Sequence, residues 1–436
     1  MSNLNDLRSR VRGSVVLDGD DVFEQARRPW NLAVEQPVAA VVEAADADDV
    51  AALVRYARDA GLTVSAQPNG HGATGDVAGV ILLRTRKLDE LRVDADARTA
   101  RVGAGVAWGQ VQAVAAPQGL TGLPGSSPVV SVVGYTLGGG LSWFGRRHGW
   151  AADSVTAFEI VDADGNRARV TADSDADLFW ALRGGGGDYA LVTAMEFDLH
   201  PAPALYGGRL LWPAQQAPQV LDAFRQITAD APEELTLWLD LMQFPGSAPM
   251  VAVDVTYLGE AAEAQALLRP LDQVGGPLSD SRKVMPVAEL GSIAGEPTDP
   301  SPGLSRAELL TDLDDRVAKI LLEDPIAPLM GVQLRHLGGA FARPSDSPHG
   351  PLTEGYSLYM FGVPFAPDVA EGIRGRGRQL SEALAPYVSG RKPFTYLASD
   401  ETAATAFSPD ALARLREIKR RRDPRGVIRS NFPVSA

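Results

Sequence analysis

Hydrophobic positions in the first two hundred residues recur with both helical and strand spacing. Over residues 46–60, Val50, Leu53, Val54 and Ala57 share one side of a 3.6-residue repeat. Asp46 stands at the start and Gly61 at the stop, so a capped amphipathic helix is predicted. Residues 63–66 and 80–83 are short apolar runs on either side of a glycine-rich stretch, which gives the order helix, strand, loop, strand. LRVDADARTARVGAG alternates around residues 94–97 and predicts a hairpin. A second hairpin is predicted where residues 158–161 and 168–171 flank Asp164-Gly165, a pair that tolerates the positive φ of a tight turn. Residues 177–182 read as a short helix.

The pattern changes after His200-Pro201. A helix near 219–229 precedes alternating strands at 235–241 and 250–257 and a helix at 261–268. Residues 291–305, rich in Pro, Gly and Ser, read as a loop. A helix at 315–322, strands at 332–337 and 357–365 and a helix at 369–384 follow. The last helix is marked by Ser408 as cap, Pro409 at its first position and basic residues 419–422 at its negative end. No internal repeat is visible.

Length and charge narrow the classes. At 436 residues the chain is about three times a ~150-residue domain. Its net charge of −14 repels phosphate backbones and anionic lipid, so neither nucleic acid nor a membrane is expected as a partner. There is no cysteine, which removes disulfides, thiolate nucleophiles and thiolate metal sites, and the five histidines show no H-E-x-x-H spacing; no metal is expected. The amino-terminal residues lack an apolar signal core and no stretch of 18 uncharged apolar residues occurs, so a cytoplasmic location is the expectation.

Candidate chemistry lies in the glycines. Gly70-His71-Gly72-Ala73-Thr74-Gly75 satisfies G-x-G-x-x-G, yet a dinucleotide site of that type needs a helix to begin at the glycines, and here the chain runs into the strand-like DVAGVILL. Phosphate-loop and nucleophile-elbow motifs are missing. Three further clusters, at 122–127, 138–140 and 184–187, allow close backbone approach and successive N–H groups turned toward one anion. Tight turns would explain any one of them alone.

Five ordered segments carry a longer resemblance: PVAAVVEAADADDVAALVRYARDAGLTVSAQPNGHGATG, VGYTLGGGLSWFGRRHGWAADSV, DADLFWALRGGGGDYALVTAMEFDLHP, LRHLGGAFAR and REIKRRRDPRGVIRSNFPV. Together they span most of residues 37–436. The chain resembles the FAD-linked oxidoreductases of the vanillyl-alcohol oxidase superfamily, which carry a PCMH-type FAD-binding domain, and within them the berberine-bridge-enzyme-like branch. The resemblance implies an α+β protein: an FAD-binding domain formed by both chain ends, residues 1–200 and 389–436, with a substrate domain of antiparallel sheet covered by helices inserted at 201–388. It implies FAD joined covalently to His71, whose neutral imidazole is a good nucleophile near neutral pH.

Further site residues follow from the same resemblance. Pro68, Asn69, Gly70, Gly72 and Gly75 form the loop around the attachment point, with Gln67-Pro68-Asn69 where a glycine run is common in the family. Gly125, Ser126 and Ser127 match the loop in which many members carry a second, cysteinyl link; Ser127 holds that position, so a single covalent bond is expected. Val130 matches the residue governing oxygen access and leaves room for dioxygen. Gly134, Leu137, Gly138, Gly139 and Val192 are expected against the cofactor, and Asn431, with Arg429, near the pyrimidine end of the flavin. Tyr396 matches the family's tyrosine base, although Ala398 replaces a common asparagine; Tyr135 is the alternative, and His148 is expected to pack structurally. The implied reaction is that of an oxidase: hydride from an alcohol-type C–H of a sugar or natural-product intermediate passes to flavin N5, and dioxygen becomes hydrogen peroxide. A flavin dehydrogenase with another acceptor, or a flavin-binding protein with little turnover, are the other readings. Trp212, Trp238, Tyr257, Tyr356 and Tyr359 are candidate aromatic platforms in the substrate domain, though strand aromatics more often serve as core.

Overall fold

Four strands near the amino end form a small sheet in the spatial order Ser14–Leu17, Ala40–Glu43, Ile81–Arg84, Val64–Ala66, in a computed structural model that describes residues 4–435. The last three run parallel, which demands a crossover, and the predicted helix supplies it. That helix, Ala47–Ala60, starts at Asp46, whose carboxylate accepts from the N–H groups of Asp48 and Asp49, and stops at Gly61 with φ 66°. Val50, Leu53, Val54 and Ala57 are buried, as the spacing requires.

A second sheet has five antiparallel strands, ordered Leu91–Asp94, Thr99–Gly103, Leu191–Asp198, Val155–Val161, Arg167–Val170. Both expected hairpins are in it. In the second hairpin only Gly165 takes a positive φ, 80°; Asp164 does not need one, because the Asp162 carboxylate closes the turn by accepting from the N–H groups of Asp164 and Asn166. The carboxyl end returns to this part of the chain. Val64 N–H donates to Val427 at 2.7 Å and Arg429 N–H to Val64 at 3.0 Å. Lys419, buried near the end of helix Pro409–Arg422, donates to Asp423 and to the carbonyl of Asp188, and the Asp188 carboxylate accepts from the N–H groups of Ser430 and Val434. One hydrophobic core accordingly draws on Leu7 through Leu205 and on Phe394 through Val434.

Between them lies an eight-stranded antiparallel sheet, ordered Ser279–Asp280, Tyr206–Pro213, Met250–Tyr257, Leu235–Met242, Gly331–His336, Tyr356–Gly362, Leu304–Leu310, with Lys283–Val284 also on Tyr206–Pro213. Its α+β make-up agrees with the expected class. One face carries Leu237, Leu239, Val253, Val255, Leu334, Leu358 and Met360, which form a separate core with helices Ala217–Ala229, Asp315–Glu323 and Pro367–Ala383.

Several strands escaped the sequence pattern, among them Ser14–Leu17, Ala40–Glu43 and Leu191–Asp198, and two others show why. Leu304–Leu310 begins inside the stretch read as a loop, because Ser305 and Arg306 interrupt its apolar pattern and its first three residues are not fully buried while the other four are; Gly291–Ala294 in the same stretch makes one helical turn. Tyr206–Pro213 opens with Gly207-Gly208, which breaks the alternation. The strand read as 357–365 stops at Gly362. Among the described residues no helix is long and apolar enough to cross a membrane.

Candidate functional site

Three loops converge above the two amino-terminal sheets. The first, residues 67–75, joins two parallel strands, and no helix begins at its glycines, as the sequence pattern implied. Gly70 and Gly75 have φ of 89° and 81°; a Cβ on Gly70 would stand 2.7 Å from the Cβ of Pro29. The loop is pinned on several sides. Asn69 donates through Nδ2 to the Val129 carbonyl at 2.6 Å, and its own carbonyl accepts from Trp30 N–H at 2.8 Å. Asn431, from the third loop, residues 427–434 after the last helix, donates to the Gly72 carbonyl at 2.6 Å, and Arg429 pairs with Asp76. His71 lies in the loop as a half-buried imidazole stacked on Trp30, ring centroids 4.3 Å apart and 16° between planes. Its Nε2 is buried without a hydrogen-bond partner, and burial pushes its pKa down to about 4, so the ring is neutral at physiological pH.

The second loop, residues 122–139, faces the first. Gly125 packs on the Tyr135 ring, Ser127 is buried with no partner for its hydroxyl, and Ser126 sits between them. Val130 is partly buried against the core, and its carbonyl accepts from Trp108 N–H at 3.0 Å. Ser131 caps the short helix Val132–Leu137 by accepting from Gly134 N–H, and Gly134 lies nearest to Pro68, so the two loops meet there. The Leu137 carbonyl accepts from Gly186 N–H at 2.9 Å, while Gly138 receives a hydrogen bond from His349 Nε2 at 3.1 Å. Gly139, φ 98°, leaves no space for a side chain against that histidine. Val192 is a buried residue of the strand Leu191–Asp198, opposite Ile160, in the same core as Val132 and Val133 of the second loop.

A hollow of about 460 Å³ beside Pro68 and Asn69 is bordered by Arg28, Trp30, Arg84 and Arg86. It is a local concentration of positive charge on a chain of net charge −14.

The inserted sheet contributes its other face. Trp238, Asp240, Asp254, Gln333, Arg335 and Tyr359 lie on neighbouring strands in register, and Trp238 stacks on Trp143 of the amino-terminal part at 3.4 Å. Arg335 is the centre. Its guanidinium lies 4.0 Å from the Trp238 ring, donates to Gln333, and donates to the hydroxyl of Tyr396, which arrives from the carboxyl-terminal segment. Burial raises the Tyr396 pKa, and the Arg335 cation opposes the rise. Tyr135 lies in the same electrostatic neighbourhood, but its hydroxyl is buried without a partner and burial pushes its pKa well above 10. The two candidate bases are thus brought together and distinguished: only Tyr396 has a cation on its oxygen. A buried triad holds its segment, Lys392 pairing with Glu308 and Glu401 while Glu401 accepts from Ala398 N–H. Deeper in the same face Arg209 binds Asp254 and Asp240, and burial raises Asp254 to about 7.

Arg335, Gln333, Asp240, Asp254 and Arg209 were not singled out in the sequence, nor was Trp30. The signal was available: LTLWLDLM, VAVDVTY and GVQLRH each place a charge at an alternating position in a strand otherwise apolar enough to be wholly buried. Of the aromatic candidates, Trp238 and Tyr359 face the site, whereas Trp212, Tyr257 and Tyr356 belong to the helix-covered core. His148 stacks on His200 at 4.0 Å and packs as expected. Among the described residues no cluster could hold a metal ion.

Residues 38–171 match the model of an FAD-binding domain family. Over 97% of its length the chain is 27% identical to (R)-6-hydroxynicotine oxidase of Paenarthrobacter nicotinovorans, 97% of which is covered. It is 30% identical to glucooligosaccharide oxidase of Sarocladium strictum over 61% of this chain and 54% of that one. The crystal structure of 6-hydroxy-D-nicotine oxidase from Arthrobacter nicotinovorans superposes with a TM-score of 0.84 at 26% identity, covering 96% of this chain and 97% of that one. BBE-like 1 of Physcomitrella patens superposes with a TM-score of 0.88 at 18% identity over 99% of both chains, a likeness of fold.

Proposed function

We propose that this chain, which belongs to the FAD-linked oxidoreductases of the vanillyl-alcohol oxidase superfamily, is an oxidase of the berberine-bridge-enzyme-like type acting on an alcohol group of a small molecule. The three converging loops fit the cofactor. Buried polar atoms without partners sit in each of them: His71 Nε2 in the first, Ser127 Oγ in the second, Ser430 Oγ and Asn431 Oδ1 in the third. Such atoms are costly to bury unless something binds them. FAD held there would supply a two-electron acceptor for hydride and a route for those electrons to dioxygen, giving hydrogen peroxide. His71 would carry it covalently, with no second link because Ser127 stands where a cysteine would be needed. Val130 leaves a modest side chain on the route for dioxygen.

The observation that carries the reading is the Arg335 to Tyr396 hydrogen bond. Tyr396 would accept the O–H proton of the substrate, and a cation on its oxygen stabilises the phenolate that must exist for it to do so. Tyr135, buried and without such a partner, would stay protonated and pack beside the ring system. Trp238 and Tyr359 flank the site, while Asp240, Gln333 and Arg335 offer hydrogen bonds to a hydroxylated substrate such as a sugar or a natural-product alcohol. Glucooligosaccharide oxidase among the relatives supports the sugar reading.

Anaerobic screening of sugars, alcohols and phenolic metabolites for bleaching of the bound flavin tests the proposal, followed by admission of air. Bleaching and fast reoxidation with peroxide release support an oxidase; slow reoxidation assigns a dehydrogenase; purified protein that stays colourless after FAD is added refutes both. His71→Ala should leave the flavin extractable by acid precipitation, and flavin still fixed to the polypeptide would move the attachment elsewhere.

A further inference from the structure

We propose that Pro29, Trp30 and Asn31 form a strap that orients His71 for attachment to the cofactor and ties that event to the inserted domain; this rests on His71 being the attachment point. The imidazole has no hydrogen bond to fix its plane: Nε2 is unpartnered, and the ring's close neighbour is the indole of Trp30, nearly parallel at 4.3 Å. The indole Nε1 is itself buried without a partner, so Trp30 is held there as a flat face rather than by its N–H. An unbonded imidazole turns freely about its last torsion, whereas one laid on an indole keeps one plane.

The strap is fastened at both ends. Toward the loop, Trp30 N–H donates to Asn69 at 2.8 Å, Asn31 N–H to Gly70 at 3.4 Å, and Pro29 occupies the space that only a glycine at position 70 can concede. Toward the insert, Asn31 behaves as a surrogate peptide: Nδ2 donates to the Gly303 carbonyl and Oδ1 accepts from Gly303 N–H, both at 3.0 Å. Ser301 N–H donates to the Trp30 carbonyl at 3.1 Å and Leu32 N–H to Ser301 at 3.2 Å. Four hydrogen bonds thus bolt a segment beside His71 to residues some 272 positions away. The plane of the imidazole is therefore set only once the inserted domain has docked. Attachment replaces one C–H bond of the flavin 8α methyl group and one imidazole N–H bond by a C–N bond; the two protons and two electrons released reduce dioxygen to hydrogen peroxide. A misaligned nucleophile slows such a step without abolishing binding.

The test uses full-length protein made flavin-free, mixed with FAD in air. Intact mass follows the covalent fraction with time, and quenching of flavin fluorescence measures non-covalent affinity. Trp30→Leu is expected to slow attachment at least about tenfold with affinity within about threefold of wild type, Trp30→Phe to restore the rate, and Asn31→Ala to fall between. Trp30→Leu attaching at the wild-type rate overturns the strap, and so does a Trp30→Leu protein that no longer binds FAD, since the residue then only supports the loop. If Trp30→Leu does not fold, Asn31→Ala decides, and a wild-type rate there overturns the proposal. Wild-type protein that binds FAD and never gains its mass overturns the attachment itself, a different result from the others.

Discussion

The two faces of the inserted sheet are built by opposite rules from the same strands. Leu237, Leu239, Val253 and Leu334 point to three helices and are almost wholly buried, each stabilising the fold by about 1.5–3 kcal/mol. One residue along, Trp238, Asp240, Asp254 and Arg335 point to the flavin-binding part, also buried, but as rings and ions. A buried ion pair roughly breaks even against apolar residues of the same volume. The second face therefore adds little to stability that leucines would not, and under the proposed function its charges serve Tyr396 and a substrate. Alternation with a period of two makes this division possible, since one strand can serve a core and a reaction site without compromise.

Substitutions on the two faces should separate accordingly. The largest effect belongs to Tyr396→Phe: the anaerobic rate of flavin reduction should fall by about 10²–10⁴-fold with the melting temperature unchanged, and an unaltered rate would move the base to Tyr135. Next comes Asp254→Asn, which leaves Arg209 without its strongest partner; stability should drop by about 3–5 kcal/mol in urea unfolding, and a neutral result would mean the ion pair is dispensable. Leu239→Ala on the apolar face should cost about 2–5 kcal/mol while folded molecules keep wild-type turnover, and reduced turnover at full folding would show the faces to be coupled. Arg335→Met should shift the rising limb of the kcat/KM pH profile upward, since the cation that opposes the raised pKa of Tyr396 is gone; a profile that stays put would break the pairing.

A last difference is in acid stability. His148 at about 3 and His349 at about 4 are held neutral by burial, both below the ordinary 6.5. As pH falls the unfolded chain takes up protons first, so their contribution is complete above about 6.5 and declines from there to about 4 for His349 and about 3 for His148. Melting temperature should follow that decline, and one flat from pH 7 to 4 would contradict it.

Much of the flavin-binding part was legible because its constraints are local. Asp46 and Gly61 bracket a helix, and Gly70 and Gly75 sit where a side chain would collide or strain the backbone. Tyr396 enters as the proposed base only by resemblance, since nothing in PFTYLASDE marks one. Arg335 was legible only as a charge in an otherwise apolar strand: its surroundings depend on Trp238, Gln333 and Tyr396 meeting around it from strands and a segment far apart in the chain. Leu304–Leu310 failed for a related reason, being half polar until its partner strand covers it.

The pairing of Val64 with Ile428 has a bearing on how the molecule comes into being. Contacts so remote in sequence must bear the entropy of closing a very long loop before they return anything, which slows folding. The strand Val64–Ala66 lacks this neighbour until a segment hundreds of residues further along the chain has been made. A nascent chain carries that edge unpaired through this stretch of its synthesis.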